Sequence, residues 1–420
     1  MEDIVLITND SWRRDTLERM ANLNHVAESF NTLDAVCQGA STKSALPPII
    51  SSSYWKENEG TRAKEPTSLP AFLADNGYST GAFIGTNPFA SQWKDDFDAF
   101  WNGGSGNYNK YTRKVSRGID LALLRKETPA KEVYKHAKKW YNSCSGPRFM
   151  WIHLMDSHEP YYPGLQRGMS NGLIKTYKSL LENRTKFDEG KFFTDSFSPD
   201  VVDQLERLYR ECVQNVDDVL PLFLELVDDR ATVILTGDHG EEFDHGYMKH
   251  QRLYDECVVV PCLVRWTLDG TFDFNKEIFH IDIAPTLARG LGLQVPDEWQ
   301  GRSEPQEVDR ISLMFNADHR INRWFIGART QKYKYIETFD HSTGEQLNSE
   351  LYDLERDPIE DNNIFTSDHP YIEAAQQRIN EYFEETGHSR SSLIEGQQPS
   401  DLNEGASEEL EEQLAHLGYR

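Results

Sequence analysis

Acidic and histidine side chains follow two apolar runs of the sequence. Asp238 and His239 come shortly after the apolar segment 231–236, and Asp10 occupies a similar place after residues 4–7. Each motif taken alone is more often a structural or capping feature than a ligand set. Taken together, carboxylates and an imidazole from separate strand ends suit one divalent cation. The spacing therefore predicts a metal site.

A threonine is the candidate nucleophile. Thr42 lies shortly before Pro47 and Pro48, and prolines are common near the start of a helix. A threonine is usually a turn or capping residue, and it attacks a substrate only when a metal or a base activates its hydroxyl. If Thr42 lies at a helix N-terminus beside a metal, the metal would activate its hydroxyl and the helix dipole would favour a bound anion.

Basic side chains form a second group of candidates. His158 lies in a proline-rich loop, which can be rigid enough to aim a side chain. His245, Lys249 and His250 follow Asp238 closely. The group is either a polar surface loop or a set of cations that faces an anionic ligand.

The elements that must position these residues alternate along the first 300 residues. Strands are predicted at residues 4–7, 78–84, 149–154, 231–236 and 258–265, and helices at 15–30, 129–141 and 198–228, the last broken near Pro221. Such alternation predicts an α/β fold with a mostly parallel sheet and helices on both faces. Ligands of these folds gather at the carboxyl ends of the strands, where all the candidate acids lie.

The pattern changes after about residue 300. Short strands are predicted at 324–328, 333–337 and 350–354, and a helix at 371–383. We therefore divide the chain into a catalytic α/β domain (1–300), a smaller C-terminal α+β subdomain (301–387), and an acidic linker with a terminal helix (388–420).

The amino-acid composition excludes some classes of binding partner and cellular location. The 420 residues include 44 Lys plus Arg against 69 Asp plus Glu, a net charge of −25, which disfavours nucleic acid as a partner. No apolar run reaches 18 residues, so no integral membrane segment is expected. The first residues lack the features of a signal peptide, and the five cysteines are scattered. We expect a soluble, acidic, cytoplasmic protein.

Several motifs in the same order resemble the sulfatase branch of the alkaline-phosphatase-like superfamily. The similar segments are residues 5–15, 42–51, 77–80, 155–161, 236–242, 253–256, 282–287 and 351–358. The resemblance implies an alkaline-phosphatase-like sandwich: a large, mostly parallel central sheet flanked by helices, with a smaller C-terminal α+β lobe. It also implies hydrolysis of ester bonds.

The resemblance assigns roles to the candidates. Asp10, Asp238 and His239 would bind one divalent metal (Mn, Ca, Mg or Zn), with the Thr42 hydroxyl completing the site. His158 would contact the ester oxygens or protonate the leaving group. A second cation would come from His250 or Lys249. Aligning the family motif forward from His245 favours His250, whereas aligning it backward from Tyr254 favours Lys249.

Two departures from the family pattern affect the chemistry. Residues 42–46 read Thr-Lys-Ser-Ala-Leu, where type I sulfatases have Cys/Ser-x-Pro/Ala-x-Arg, so no formylglycine is expected. Thr86 and Asn87 stand where the family has a lysine after its third motif, and either could contact the anion. Together with Lys43 they are the predicted substrate-binding residues.

Three functions follow as hypotheses. The first is a metal-dependent hydrolase that cleaves a small anionic sulfate or phosphate ester, or a glycan-type ester, through Thr42. The nucleophile favours phosphoester or phosphodiester chemistry, whereas the family favours sulfate. The second is a soluble phosphotransferase that passes a group from phospho-Thr42 to a glycan or lipid hydroxyl. The third is a catalytically silent binding protein, which the retained Asp10, Thr42, Asp238 and His239 disfavour.

Overall fold

The computed structural model describes residues 2–54, 67–103, 118–269, 277–303 and 310–387. The chain forms two compact units. The first comprises residues 1–34, 68–249 and 260–270, and the second comprises 35–67, 250–259 and 271–420. The predicted acidic linker and terminal helix, 388–420, lie outside the described residues.

The larger sheet has eight strands. They are β1 (Ile4–Asn9), β2 (Asn31–Val36), β3 (Ser79–Ile84), β4 (Ala99–Asn102), β5 (Arg148–Leu154), β6 (Thr232–Gly237), β7 (Val259–Arg265) and β8 (Ile278–Phe279). Their order is β4-β3-β5-β1-β6-β7-β2-β8. The recorded pairings are parallel except that of β6 with β7. This sheet confirms the predicted α/β class.

The central strands are apolar because both faces of the sheet are covered. Every residue of β1 and β6 is buried, as expected for a parallel sheet inside an α/β fold. Asn9, the last residue of β1, lies opposite Leu154 of β5 and Gly237 of β6. The residues that follow these three strands therefore emerge together at one edge.

In chain order, the α-helices are α1 (Ala21–Val26), α2 (Thr42–Ser51), α3 (Leu69–Asp75), α4 (Ala130–Ser143), α5 (Leu165–Ser170), α6 (Leu173–Asp188), α7 (Pro199–Asp217), α8 (Leu220–Leu226), α9 (Asp255–Val258), α10 (Ile283–Gly290) and α11 (Pro370–Thr386). Within the described ranges, no helix has both the length and the apolar character needed to cross a membrane.

The spacing of the buried residues in helix α4 explains how this helix packs on the sheet. Its buried positions, Ala130, Val133, Ala137 and Tyr141, recur at helical spacing and form one face. The helix packs against β3 and β5. A Cβ atom at Gly81 would lie 2.8 Å from the indole of Trp140, so the strand needs glycine there.

The predicted helix over 15–30 is wrong in its continuity. The structure has a 3₁₀ helix at Arg14–Arg19 and then α1, with Met20 between them in a non-helical conformation (ψ 74°). The carboxylate of Asp217 accepts hydrogen bonds from the backbone N–H groups of Asn22 (3.2 Å) and Leu23 (2.8 Å). This remote carboxylate satisfies donors of a new helix start, which local periodicity does not reveal.

The second unit contains a four-stranded antiparallel sheet. Its strands, in the order β12-β11-β10-β9, are β9 (Ser312–Asp318), β10 (Arg323–Arg329), β11 (Tyr333–Asp340) and β12 (Gln346–Asp353). This sheet and α11 form the predicted smaller lobe. A buried ion-pair network links Asp255 to Arg329 of β10 (3.0 Å) and to Lys334 of β11 (2.7 Å).

Candidate active site

The carboxyl edge of the larger sheet positions two acidic side chains next to each other. Asp10 follows β1, and its backbone N–H donates to the carbonyl of Leu154 (2.9 Å). Asp238 follows β6, and its backbone N–H donates to the carbonyl of Asn9 (3.2 Å). The parallel ladder therefore continues for one residue past each strand and fixes both backbones.

Asp10, Asp238 and His239 form a buried cluster. One ligand atom from each lies within 4.8 Å of those of the other two. The Nε2 atom of His239 is 3.8 Å from Asp10 Oδ1 and 3.7 Å from Asp238 Oδ2. All three side chains have no solvent exposure. The structure thus brings together the three protein residues that the sequence proposed as metal ligands besides Thr42.

The hydrogen bonds of this cluster leave one carboxylate oxygen of Asp238 available for a cation. The Nδ1 atom of His239 is 2.8 Å from the carbonyl oxygen of Gly240, which can only accept, so Nδ1 carries the proton and Nε2 is a potential ligand. Asp238 Oδ1 accepts from the backbone N–H groups of His239 (2.8 Å) and Ser11 (3.3 Å). Asp238 Oδ2 is buried with no hydrogen-bond partner in the described part of the chain. A buried, unsatisfied carboxylate oxygen is costly without a cation, so these residues fit a divalent metal.

The pKa values of the two carboxyl groups are shifted in opposite directions. Burial and the nearby charge of Asp10 raise the pKa of Asp238 well above its usual value. Burial would also raise the pKa of Asp10, but interactions with the imidazoles of His158, His153 and His239 lower it well below its usual value. Two acids whose pKa values are driven apart in one cluster are typical of a functional site.

His153 contributes to the cluster and was not among the predicted site residues. It lies in β5, and its Nε2 atom is 3.7 Å from Asp10 Oδ2. The amide nitrogen of Asn87, a donor, is 3.2 Å from Nε2, and Nδ1 is 2.8 Å from Thr8 Oγ1. Nε2 is therefore the acceptor and Nδ1 the protonated nitrogen. The available signal was a polar residue near the end of an otherwise apolar predicted strand.

His158 is buried in the loop that follows β5. It is 1% exposed, and its Nδ1 lies 2.5 Å from the carbonyl oxygen of Glu159. That contact makes Nδ1 the donor, so Nε2 is the nitrogen that can exchange a proton. The backbone carbonyl of His158 accepts a hydrogen bond from Lys126, another residue that the motifs did not indicate.

Lys249 belongs to the same unit and is 2% exposed. It forms an ion pair with the carboxylate of Glu159, and its ammonium lies 3.8 Å from the centre of the Phe187 ring. These contacts hold the lysine next to the residue that follows His158. The choice between Lys249 and His250 as the second cationic contact stays a prediction.

Thr86 and Asn87 follow β3 in supporting positions. The Thr86 hydroxyl is 2.6 Å from that of Thr128, in a backbone conformation with φ 42°. Asn87 Nδ2 contacts His153, and its Oδ1 accepts from the backbone N–H of Phe89 (3.0 Å). Both side chains are thus engaged in shaping the edge of the sheet, and their contact with a substrate anion stays a prediction.

Thr42, Lys43 and His250 lie in the second unit. Thr42 is fully buried and is the first residue of α2. The side chain of Asn316 in β9 fixes this first turn, because its Oδ1 accepts from Ser41 Oγ (2.9 Å) and from Ser44 Oγ (2.6 Å). A helix N-terminus presents N–H donors that suit an anion. The structure therefore places Thr42 where the sequence predicts a helix start.

Comparisons with known proteins extend this description. A model of the sulfatase family matches residues 2–293, and a model described as N-sulphoglucosamine sulphohydrolase, C-terminal, matches residues 243–388. Among curated proteins, the N-acetylglucosamine-6-O-sulfatase of Bacteroides thetaiotaomicron is 27% identical over 184 residues. That match covers 39% of this chain and 32% of the relative, so the chain matches about a third of the relative's length.

Solved structures with the same fold cover nearly the whole chain. One is described as a complex with its substrate D-glucosamine-2-N,6-O-disulfate; it has a TM-score of 0.70 and 15% identity, covering 91% of this chain and 97% of that chain. Another is the phosphonate monoester hydrolase of Agrobacterium radiobacter, with a TM-score of 0.61 and 16% identity, covering 91% and 95%. These likenesses show the fold. Because the family model spans residues 2–293, well over half of the sequence, the chain belongs to the sulfatase family.

Proposed function

We propose that this protein is a divalent-metal-dependent hydrolase of sulfate or phosphate esters, with Thr42 as its nucleophile. The observation that supports it most is the buried cluster of Asp10, Asp238 and His239, whose ligand atoms lie within 4.8 Å of one another. Asp238 Oδ2 lacks a hydrogen-bond partner among the described residues, which is the expected state of a ligand atom that awaits a cation. Family membership supports the hydrolase class.

The proposed reaction has two steps. The Thr42 oxygen attacks the sulfur or phosphorus atom and gives its proton to water, while the bond to the ester oxygen breaks. His158 donates a proton from Nε2 to that leaving oxygen. Water then hydrolyses the threonine ester, releasing sulfate or phosphate and restoring the hydroxyl. A metal held by Asp10, Asp238 and His239 would supply positive charge for the developing negative charge.

Family membership and the threonine nucleophile favour different classes of ester. Family membership and the sulfated-sugar substrate named for one structural neighbour support sulfate esters of sugars. A threonine nucleophile favours phosphorus chemistry, because a phospho-threonine can be hydrolysed directly, whereas formylglycine releases sulfate by elimination. Sugar sulfates, phosphate monoesters, phosphodiesters and phosphonates therefore belong in one substrate panel.

The test is turnover of that panel by the metal-loaded protein and by two variants of Thr42. Thr42→Ala should lower kcat by about 10³-fold or more, because it removes the attacking atom. Thr42→Ser keeps a hydroxyl and should retain a larger fraction of the activity. Intact-mass measurement of the wild-type chain should show residue 42 unmodified or transiently phosphorylated. Equal turnover by the alanine variant would refute the nucleophile, and absence of turnover on every ester class would refute the function.

A further inference from the structure

A lysine outside the sequence motifs is fixed beside the candidate site. Lys126 lies in the segment that precedes α4, two residues before Thr128. The Thr128 hydroxyl is 2.6 Å from that of Thr86, and a Cβ atom at Gly103 would lie 2.3 Å from the Thr128 side chain. Because Thr86 and Gly103 follow β3 and β4, this segment packs on the carboxyl edge of the sheet.

The amino group of Lys126 points at the loop that contains His158. It donates a hydrogen bond to the backbone carbonyl of His158, which is a neutral partner. Within the described residues, no carboxylate oxygen lies at ion-pair distance from it; Asp156, Asp10 and Glu159 act on it from farther away. Asp156 instead uses its Oδ2 to accept from the backbone N–H of Ala130 (2.8 Å).

This arrangement leaves a positive charge incompletely compensated. An ammonium has three N–H donors, and one carbonyl satisfies one of them. Burial lowers the pKa of Lys126, which shows that its surroundings disfavour the charge, although Asp156 and Asp10 partly offset this. The residue as a whole is nevertheless only partly buried. A bound oxyanion would supply both the missing acceptors and the missing negative charge.

We propose that Lys126 is a substrate-binding residue that contacts the sulfate or phosphate oxygens of the ester beside His158. This inference rests on the proposed function, since it names a further contact for the same anionic group. The competing explanation is that Lys126 only holds the His158 carbonyl in place. The two explanations differ in whether the charge of residue 126 changes the affinity for a free oxyanion.

The experiment measures binding of inorganic phosphate and inorganic sulfate to the metal-loaded protein by calorimetry, together with the Tm with and without each anion. Lys126→Gln keeps an N–H donor for the His158 carbonyl and removes the charge, and Lys126→Met removes both. Lys131→Met, at an exposed position of α4, is the matched control. A charge-assisted hydrogen bond corresponds to a factor of about 10 to 100 in affinity.

We expect both Lys126 variants to raise the Kd for the anion by about 10- to 100-fold, with an anion-free Tm no lower than that of the wild type for Lys126→Gln. Lys131→Met should behave as the wild type. An anion Kd for Lys126→Gln within twofold of the wild type would overturn the inference, and so would absence of anion binding by the wild type. Binding through Lys126 without hydrolysis of any ester would refute the proposed function and leave the inference standing.

Discussion

Replacing Asp238 with asparagine is expected to stabilise the metal-free protein at high pH and to weaken its affinity for metal. Asparagine keeps the Oδ1 acceptor for the backbone N–H groups of His239 and Ser11, so the local fold should persist. The substitution removes one of two carboxylates in a cluster whose ligand atoms lie within 4.8 Å of one another. With an effective dielectric constant of about 20, two unit charges at that distance repel by about 3 kcal/mol.

The sign of the effect depends on pH. Because the folded pKa of Asp238 is raised, the metal-free wild type binds this proton more tightly than the unfolded chain does. Its stability should therefore fall as the pH rises through that raised pKa, and Asp238→Asn should lack this fall. At high pH the metal-free variant should be more stable than the wild type by up to about 3 kcal/mol.

Metal binding should offset most of this difference. A metal at about 100 times its Kd stabilises the wild type by about 2.7 kcal/mol, and a 100-fold loss of affinity would reduce that gain to about 0.4 kcal/mol. Urea unfolding with MnCl₂ and with EDTA measures both quantities, and Asp229→Asn, at an exposed site, is the control. A metal-free Asp238→Asn protein that is less stable than the wild type, with unchanged stabilisation by metal, would refute the metal assignment.

Two further predictions concern His158 and Asp156. His158→Asn should lower kcat by about 10²- to 10⁴-fold for esters with poor leaving groups and much less for 4-nitrophenyl esters, because an acid matters least when the leaving oxygen needs no proton; an equal loss for both would contradict the assignment. Burial raises the pKa of Asp156 to about 6, so as the pH rises from about 3 to about 7 the wild type should lose about 3 kcal/mol of unfolding free energy that Asp156→Asn keeps. Urea titrations across this pH range measure the difference, and parallel pH profiles would contradict it.

The sequence predicted the sheet better than the helices. Apolar runs such as Ile4–Asn9 mark strands that are buried on both faces, so composition alone identifies them. The break before α1 depends instead on the distant carboxylate of Asp217, which no local pattern contains. The short strands β4 and β8 gain their structure from neighbours in the sheet, and their own sequences give little periodicity.

The candidate site was predictable to the extent that its residues directly follow strands. Asp10 and Asp238 converge because the register of β1 with β6 is parallel and their ends coincide, which the strand assignment already implied. His153 and Lys126 were missed for different reasons. His153 is inside a strand, where a polar residue has several explanations, and Lys126 reaches the His158 loop from a segment 32 residues earlier. That contact depends on the packing of Thr128 on Thr86, which is a tertiary feature.

The charges of the first unit bear on how this acidic protein would bind the proposed anionic ester. The site contains the carboxylates of Asp10, Asp238 and Glu159, and the positive charge of Lys249 is already paired with Glu159. Burial raises the pKa of Glu241 to about 7, so that acid is partly neutral and adds less repulsion. In the metal-free protein the carboxylates of Asp10 and Glu159 would still repel an approaching anion. A divalent cation at the cluster would offset that repulsion, and Lys126 would add a positive charge that no described carboxylate pairs directly. The net charge of −25 would therefore be compatible with an anionic substrate if capture is local and follows metal binding.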